Sequence, residues 1–253
     1  MKQILARANI GVLQRFVRSD TLIALDYDGT LAPIVSDPAR AQMRPSTRAL
    51  LASVAQRYAT IVITGRARED ASRLLAGVEL REIIGNHGAE TQAASPASVA
   101  RRLASWRAEL RKNLEGLAGA AIEDKGYSLA IHYRACSNRT SAAAKIRKMA
   151  AALPGARLVG GKCVLNVVPI DAADKGAALL RAWRRLRCPR ALYVGDDDTD
   201  EDVFALDRPD HLLGIRVGSR RGSRADYALR GQGEIDRLLA FIAAAPGGVF
   251  RSA

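Results

Sequence analysis

Leu25-Asp26-Tyr27-Asp28-Gly29-Thr30-Leu31 sets two carboxylates at the end of the apolar run Thr21-Leu22-Ile23-Ala24-Leu25. The run is short, uninterrupted and closed by a glycine turn, which predicts a buried strand. Side chains alternate along a strand, so Asp26 and Asp28 are expected on one side and Tyr27 on the other. Two like charges at the mouth of a core repel unless something positive lies between them. A divalent cation held by oxygen ligands meets that need. A strand ending in a solvated Asp-Gly turn is the alternative, and this stretch alone does not separate the two.

A second acidic run does. Ala191-Leu192-Tyr193-Val194-Gly195 reads as another buried strand and leads into Asp196-Asp197-Asp198-Thr199-Asp200-Glu201-Asp202, six carboxylates in seven residues. Glu201 and Asp202 are explained by a helix start, where the dipole favours acids. Asp196, directly behind a strand, is not. Ligands of open parallel sheets sit outside the carboxyl ends of strands, so two strands ending in Asp predict one shared magnesium site.

The 253 residues suffice for a full core, as one large domain or two smaller ones. Strands alternate with helical patterns, which predicts an α/β fold with a parallel sheet. No apolar run approaches the ~20 residues of a membrane span. Arg7, Arg15 and Arg18 interrupt the N-terminal segment, so no signal peptide is expected there; Leu13, Phe16 and Val17 have helical spacing. Three widely spaced cysteines (Cys136, Cys163, Cys188) suit a reducing cytoplasm rather than a disulfide frame or a zinc site. Net charge is +13, with 32 arginines among the 39 basic residues. They are scattered along helices with few aromatics between them, which reads as solvated helix faces. The expected partner is a small molecule, with neither nucleic acid nor membrane, and a monomer is expected.

Pro45 to Tyr58 reads as a helix opened by Pro45-Ser46. Thr60 to Ile63 then forms a strand ending in Thr64-Gly65-Arg66, where a hydroxyl and backbone amides at a glycine turn make a small anion cradle. Asp174-Lys175-Gly176 precedes a helix over Ala177 to Leu186. A cation is disfavoured at a helix N-terminus, so an anion nearby would account for Lys175, as would simple exposure at a loose turn.

Together these groups compose one reaction. Asp26 attacks phosphorus and forms an aspartyl-phosphate. Magnesium held by Asp26, Asp196 and the backbone carbonyl of Asp28 neutralises nucleophile and phosphate. Thr64 and Lys175 hold the remaining oxygens. Asp28 protonates the leaving alkoxide and later takes a proton from water.

In that order, Asp26-Tyr27-Asp28-Gly29-Thr30, Thr64-Gly65, Lys175 and Gly195-Asp196-Asp197 resemble the four motifs of the haloacid dehalogenase-like phosphatases. The longer forms Leu25 to Ile34 and Gly195 to Phe204 resemble one branch, the trehalose-6-phosphate phosphatases, as do Asn86-His87-Gly88-Ala89-Glu90 and Glu123 to Arg134. The resemblance runs from about Leu22 to Leu206. It implies a magnesium-dependent phosphatase of a phosphorylated disaccharide, with Asp26, Asp28, Asp196 and Asp200 at the metal. It also implies a Rossmann-like core over 1–90 and 169–253, with an inserted α+β cap of the C2 type over 91–168.

The sequence of that insert agrees. Val99 to Leu117 and Asn138 to Leu153 read as helices, Tyr127 to Arg134 alternates as a strand, and Gly160-Gly161 predicts a tight hairpin turn. Thr91 to Ser98 is the loosest stretch and is expected to join the two units. Glu123 and Lys125 share one strand face, as do His132 and Arg134, and Lys162, Val164 and Asn166. Leu129, Ile131, Tyr133, Leu165 and Val167 are left to pack on the helices. By resemblance Glu123, Lys125, Arg134 and Lys162 bind sugar, with Gly65, Arg66, His87 and Asn166 completing the substrate set. His87 reads equally as a core histidine, and His211 as structural. Asn166 departs from the family, whose hairpin carries a glutamate there. An amide is the weaker acceptor, so a phosphatase of another glycosyl phosphate, such as glucosyl- or mannosyl-3-phosphoglycerate or sucrose phosphate, stands as the alternative.

Overall fold

The computed structural model describes residues 1–35, 40–91, 97–161, 163–208 and 210–246. Its chain contacts separate into two units, Met1–Gly88 with Asp174–Ala253, and Ala89–Ala173.

The first unit begins with β1 (Lys2–Gln3), α1 (Ile10–Phe16), β2 (Thr21–Leu25), α2 (Pro45–Arg57), β3 (Thr60–Ile63), α3 (Arg68–Leu74) and β4 (Glu82–Ile84). The second contains α4 (Ala97–Leu114), β5 (Ala121–Asp124), β6 (Leu129–His132), α5 (Arg139–Ala151), β7 (Ala156–Gly161) and β8 (Val164–Pro169). The first resumes with α6 (Lys175–Leu186), β9 (Arg190–Gly195), α7 (Glu201–Phe204), β10 (Leu212–Val217), β11 (Tyr227–Leu229) and α8 (Ile235–Ala244).

The first unit's seven strands form a parallel sheet in the order β1-β11-β10-β9-β2-β3-β4. Period-2 alternation divides β2 between two cores. Ile23 and Leu25 pack with Leu51 and Val54 of α2 and Leu238, Leu239 and Ile242 of α8. Leu22 and Ala24 pack with Ala178, Leu179, Ala182 and Trp183 of α6 and Val203 and Phe204 of α7. Both faces of the sheet are therefore covered, which is why its central strands read as unbroken apolar runs. The expected α/β class with a parallel sheet is present.

The second unit is an antiparallel sheet, β5-β6-β8-β7, with α4 and α5. Leu103, Trp106, Leu110 and Leu114 recur at helical spacing on α4 and pack with Leu129, Ile131, Leu165 and Val167 of the strands. That is the strand face the alternation assigned to the helices. The hairpin differs from expectation. Gly160 and Gly161 belong to β7, paired with Leu165 and Val164, and the reversal falls after Gly161, with Cys163 at φ 63°. Strand pairing continued through both glycines because β8 offers partners for them; a Gly-Gly pair permits a turn but does not require one. Residues 92–96 of the expected joining stretch, and Lys162, lie outside the described residues.

Candidate active site

β2 and β9 are neighbours, with Leu25 opposite Val194, so their carboxyl ends are side by side. The Asp26 amide donates to the Val194 carbonyl at 2.9 Å, one step beyond the last pair. β2 itself stops at Leu25; Tyr27 to Ala32 form a turn in which the Leu31 and Ala32 amides both return to the Tyr27 carbonyl. The extended continuation through Asp28 expected from alternation therefore does not form. Tyr27 is fully buried in the core, and its hydroxyl donates to the Ala41 carbonyl at 3.0 Å.

Asp26, Asp196 and Asp200 bring one carboxylate oxygen each within 4.8 Å of one another. Gly29 makes this approach possible: at φ 83°, a Cβ there would stand 2.1 Å from Asp196 Oδ2. Thr30 Oγ1 donates to Asp196 Oδ1 at 3.3 Å. Burial pushes the Asp196 carboxyl up to about 7, with Asp200 adding to the rise and Lys175 opposing it. Burial likewise drives Asp26 well above the usual carboxylate range, against the pull of Lys175. Two buried acids and a half-buried one, balanced by one ammonium, are short of positive charge, and the donor set is all oxygen. Both properties fit a divalent cation.

Lys175 opens α6, whose N-cap Asp174 accepts from the Ala177 amide at 2.8 Å. Its Nζ lies 2.7 Å from Asp200 Oδ1 and 3.1 Å from Asp26 Oδ1, and the side chain is 2 % exposed. Burial alone would lower the ammonium; Asp200 and Asp26 outweigh it and hold Lys175 charged. Exposure at a loose turn is therefore excluded. Asp200 Oδ1 also accepts from the Tyr193 hydroxyl at 2.6 Å, and Oδ2 from the Asp197 amide at 2.8 Å. Asp200 thus has a buried structural role beside whatever it gives a metal.

Thr64 follows β3, fully buried, and its Oγ1 accepts from the Arg66 amide at 3.2 Å. The His87 ring lies over Gly65, where a Cβ would come within 2.4 Å of Cε1. Arg66 turns to carboxylates: Nε and Nη2 donate to Asp28 Oδ2 and Oδ1, each at 2.7 Å, and Nη1 donates to Asp70 Oδ2 at 2.7 Å. Both Asp28 carboxylate oxygens thus accept from the one guanidinium in this structure.

Two further residues shape the site that the sequence did not single out. The hydroxyl of Tyr193, on an apolar strand, reaches Asp200. Arg216, on β10, donates to the carbonyls of Asp196 and Asp197 and to Glu201 Oε1. A lone arginine in a strand is a weak mark of buried pairing.

In the second unit, Glu123 Oε2 lies 2.7 Å from His132 Nε2. Lys125 is half-buried and Arg134 exposed. Asn166 is 3 % exposed, its Nδ2 donating to the Val159 carbonyl at 3.5 Å, while Oδ1 is buried without a hydrogen bond. In the first unit, His211 Nδ1 donates to the Pro189 carbonyl at 3.1 Å. Among the described residues, no helix is long and apolar enough to cross a membrane.

The trehalose-phosphatase family model matches residues 24–232, a span that takes in every group above. The chain belongs to the trehalose-phosphatase family. Trehalose 6-phosphate phosphatase RA3 of Zea mays is 32 % identical over 247 residues, covering 85 % of this chain and 67 % of that protein. The trehalose-phosphate phosphatase of Mycobacterium bovis is 30 % identical over 238 residues, covering 87 % of this chain and 60 % of its own. The C-terminal domain of Candida albicans trehalose-6-phosphate phosphatase shares the fold, with a TM-score of 0.77 at 20 % identity over 96 % of this chain and 99 % of that one. The trehalose-phosphatase reading thus agrees with the order of motifs along the chain.

Proposed function

We propose that this trehalose-phosphatase hydrolyses trehalose 6-phosphate to trehalose and phosphate, and that Asp26 is its nucleophile. The observation that carries the reading is the placement of Asp26 and Asp196 at adjacent strand ends with the Lys175 ammonium 3.1 Å from the Asp26 carboxylate.

Asp26 attacks the phosphorus, forming its Oδ–P bond as the bond to the sugar oxygen breaks. Asp28 delivers a proton to that oxygen. In the second step a water attacks phosphorus, Asp28 takes its proton, and the Oδ–P bond to Asp26 breaks to release phosphate. Lys175 and the Thr64 turn hold phosphoryl oxygens and offset their charge. Asp26, Asp196 and the Asp28 carbonyl, with Asp200 behind them, would hold the divalent cation, which we take to be magnesium; bound there, it supplies positive charge to the phosphoryl group and the nucleophile.

Ala89–Ala173 is proposed as a cap whose Glu123, Lys125, Arg134, Lys162 and Asn166 recognise the sugar. Water exclusion during sugar entry and release gives such a cap its use. The free cysteines support a reducing cytoplasm, and we propose a monomer acting on a small phosphorylated disaccharide.

Replacing Asp26 by Asn should abolish phosphate release, and undiminished turnover would refute the mechanism. One observation favours a second reading at the substrate level: Asn166 is an amide where the family has a carboxylate. A panel of phosphorylated mono- and disaccharides compared by kcat/KM, with and without magnesium, decides it. Trehalose 6-phosphate outside the best substrates would sink the first reading.

A further inference from the structure

Asp28 has to aim a proton twice per turnover, yet it stands on a turn beyond β2 rather than in the ladder. Its aim comes from elsewhere. Both of its oxygens accept from one guanidinium edge of Arg66, the fork geometry that fixes a carboxylate in two dimensions. The other edge of Arg66 is held by Asp70, in the first turn of α3. The face of the guanidinium lies 5.3 Å from the centroid of the Tyr27 ring, itself fully buried and tethered through its hydroxyl. Two edges and a face of Arg66 are occupied, and only 8 % of its side chain is exposed.

We infer that Arg66, steadied by Asp70, is the positioning residue of Asp28, and that Asp70 governs turnover from outside the catalytic motifs. The inference rests on the phosphatase reading. A displacement of about 1 Å in a reacting group costs on the order of 100-fold in rate. Asp70 pairs with Arg66 at 2.7 Å and with Arg73 at 3.5 Å, and reaches Asp28 through Arg66. The Arg66 contribution also changes from that expected of the Thr64-Gly65-Arg66 cradle: its charge is spent on carboxylates.

The two chemical steps expose such a role because they need the proton unequally. An alkoxide leaves only if protonated, whereas p-nitrophenolate leaves without help. Breakdown of the aspartyl-phosphate needs Asp28 as base whichever ester formed it. A mis-aimed Asp28 should therefore slow both steps on a sugar phosphate and only the second on p-nitrophenyl phosphate.

The test compares wild type, Asp70→Asn, Asp70→Glu and Arg66→Lys, each with magnesium, by rapid mixing. On trehalose 6-phosphate, kcat should fall about 10- to 100-fold in Asp70→Asn and Arg66→Lys, with KM within about twofold of wild type. On p-nitrophenyl phosphate the same variants should release a burst of about one p-nitrophenolate per enzyme before a slow steady rate. Asp70→Glu, which keeps the charge, should recover part of the loss. Equal losses on both esters without a burst would mean structural damage and overturn the inference. So would unchanged kcat, or a raised KM at constant kcat, which would place Arg66 on the sugar. Wild type inert toward both esters would instead overturn the phosphatase reading itself.

Discussion

The Lys175 ammonium lies 3.1 Å from Asp26 Oδ1 with both side chains nearly inaccessible, 2 % and 5 % exposed. A buried pair of this kind is costly to desolvate and is retained where its geometry is used. Here the lysine divides its attention between the nucleophile and Asp200, so anything that holds Asp200 also holds the lysine against Asp26.

Tyr193 is the first place to look for that dependence. Its hydroxyl donates to the same Asp200 oxygen that receives Lys175. Tyr193→Phe removes a donor from a fully buried carboxylate, which should cost about 1–3 kcal/mol in urea unfolding. Turnover should fall in the same variant as Lys175 loses its fixed seat. A stability within about 0.3 kcal/mol of wild type would show the contact to be idle.

Stability should depend on pH through Asp196. Its carboxyl is pushed up to about 7 by burial, from 3.8 in the unfolded chain, so the folded form binds the proton more tightly. The stabilisation is complete below the unfolded value and is lost as pH rises through the folded one. Without a divalent ion, the melting temperature should therefore fall between about pH 4 and pH 7, and Asp196→Asn should flatten that decline. Added magnesium should raise the melting temperature most at and above pH 7, where Asp196 is ionised. Thermal scans in chelator and in magnesium across that range measure both effects.

Gly29→Ala should damage the site more than a methyl group usually does. The new Cβ would lie 2.1 Å from Asp196 Oδ2 on a backbone at φ 83°, so Asp196 must move. The expected result is a rise of tenfold or more in the magnesium needed for half-maximal activity, on the order of other losses of ligand geometry. Magnesium titration of phosphate release is the measurement, and an unchanged midpoint would contradict the packing argument.

Arg216 should tune the same midpoint from further away. It binds the carbonyls of Asp196 and Asp197 and the Glu201 carboxylate, which ties the acidic loop to β10. Arg216→Met should weaken the apparent magnesium affinity about 10- to 100-fold, the usual cost of removing a group that orients a metal ligand. Calorimetric titration of the folded variant with magnesium would reveal whether the loop keeps its shape without the arginine.

The parallel α/β class and the pairing of acids with strand ends were legible in order alone: apolar runs of strand length, each closed by Asp or Thr-Gly, carry their own period and their own chemistry. So was the apolar face of the small antiparallel sheet, because alternation at period two needs no knowledge of partners. What lay beyond the sequence was every contact that depends on which strands are neighbours. Strands buried on both faces have nearly interchangeable apolar patterns, so nothing local says that β2 lies against β9 or that β10 is next to it. Only that order brings Lys175 between Asp26 and Asp200 and sets Arg216 under the acidic loop. The same holds for Arg66, a cation beside an anion cradle in sequence, which the fold hands to Asp28 and Asp70 instead. Residue chemistry is written one position at a time, whereas the partner of a buried charge is chosen by the packing of segments far apart in the chain.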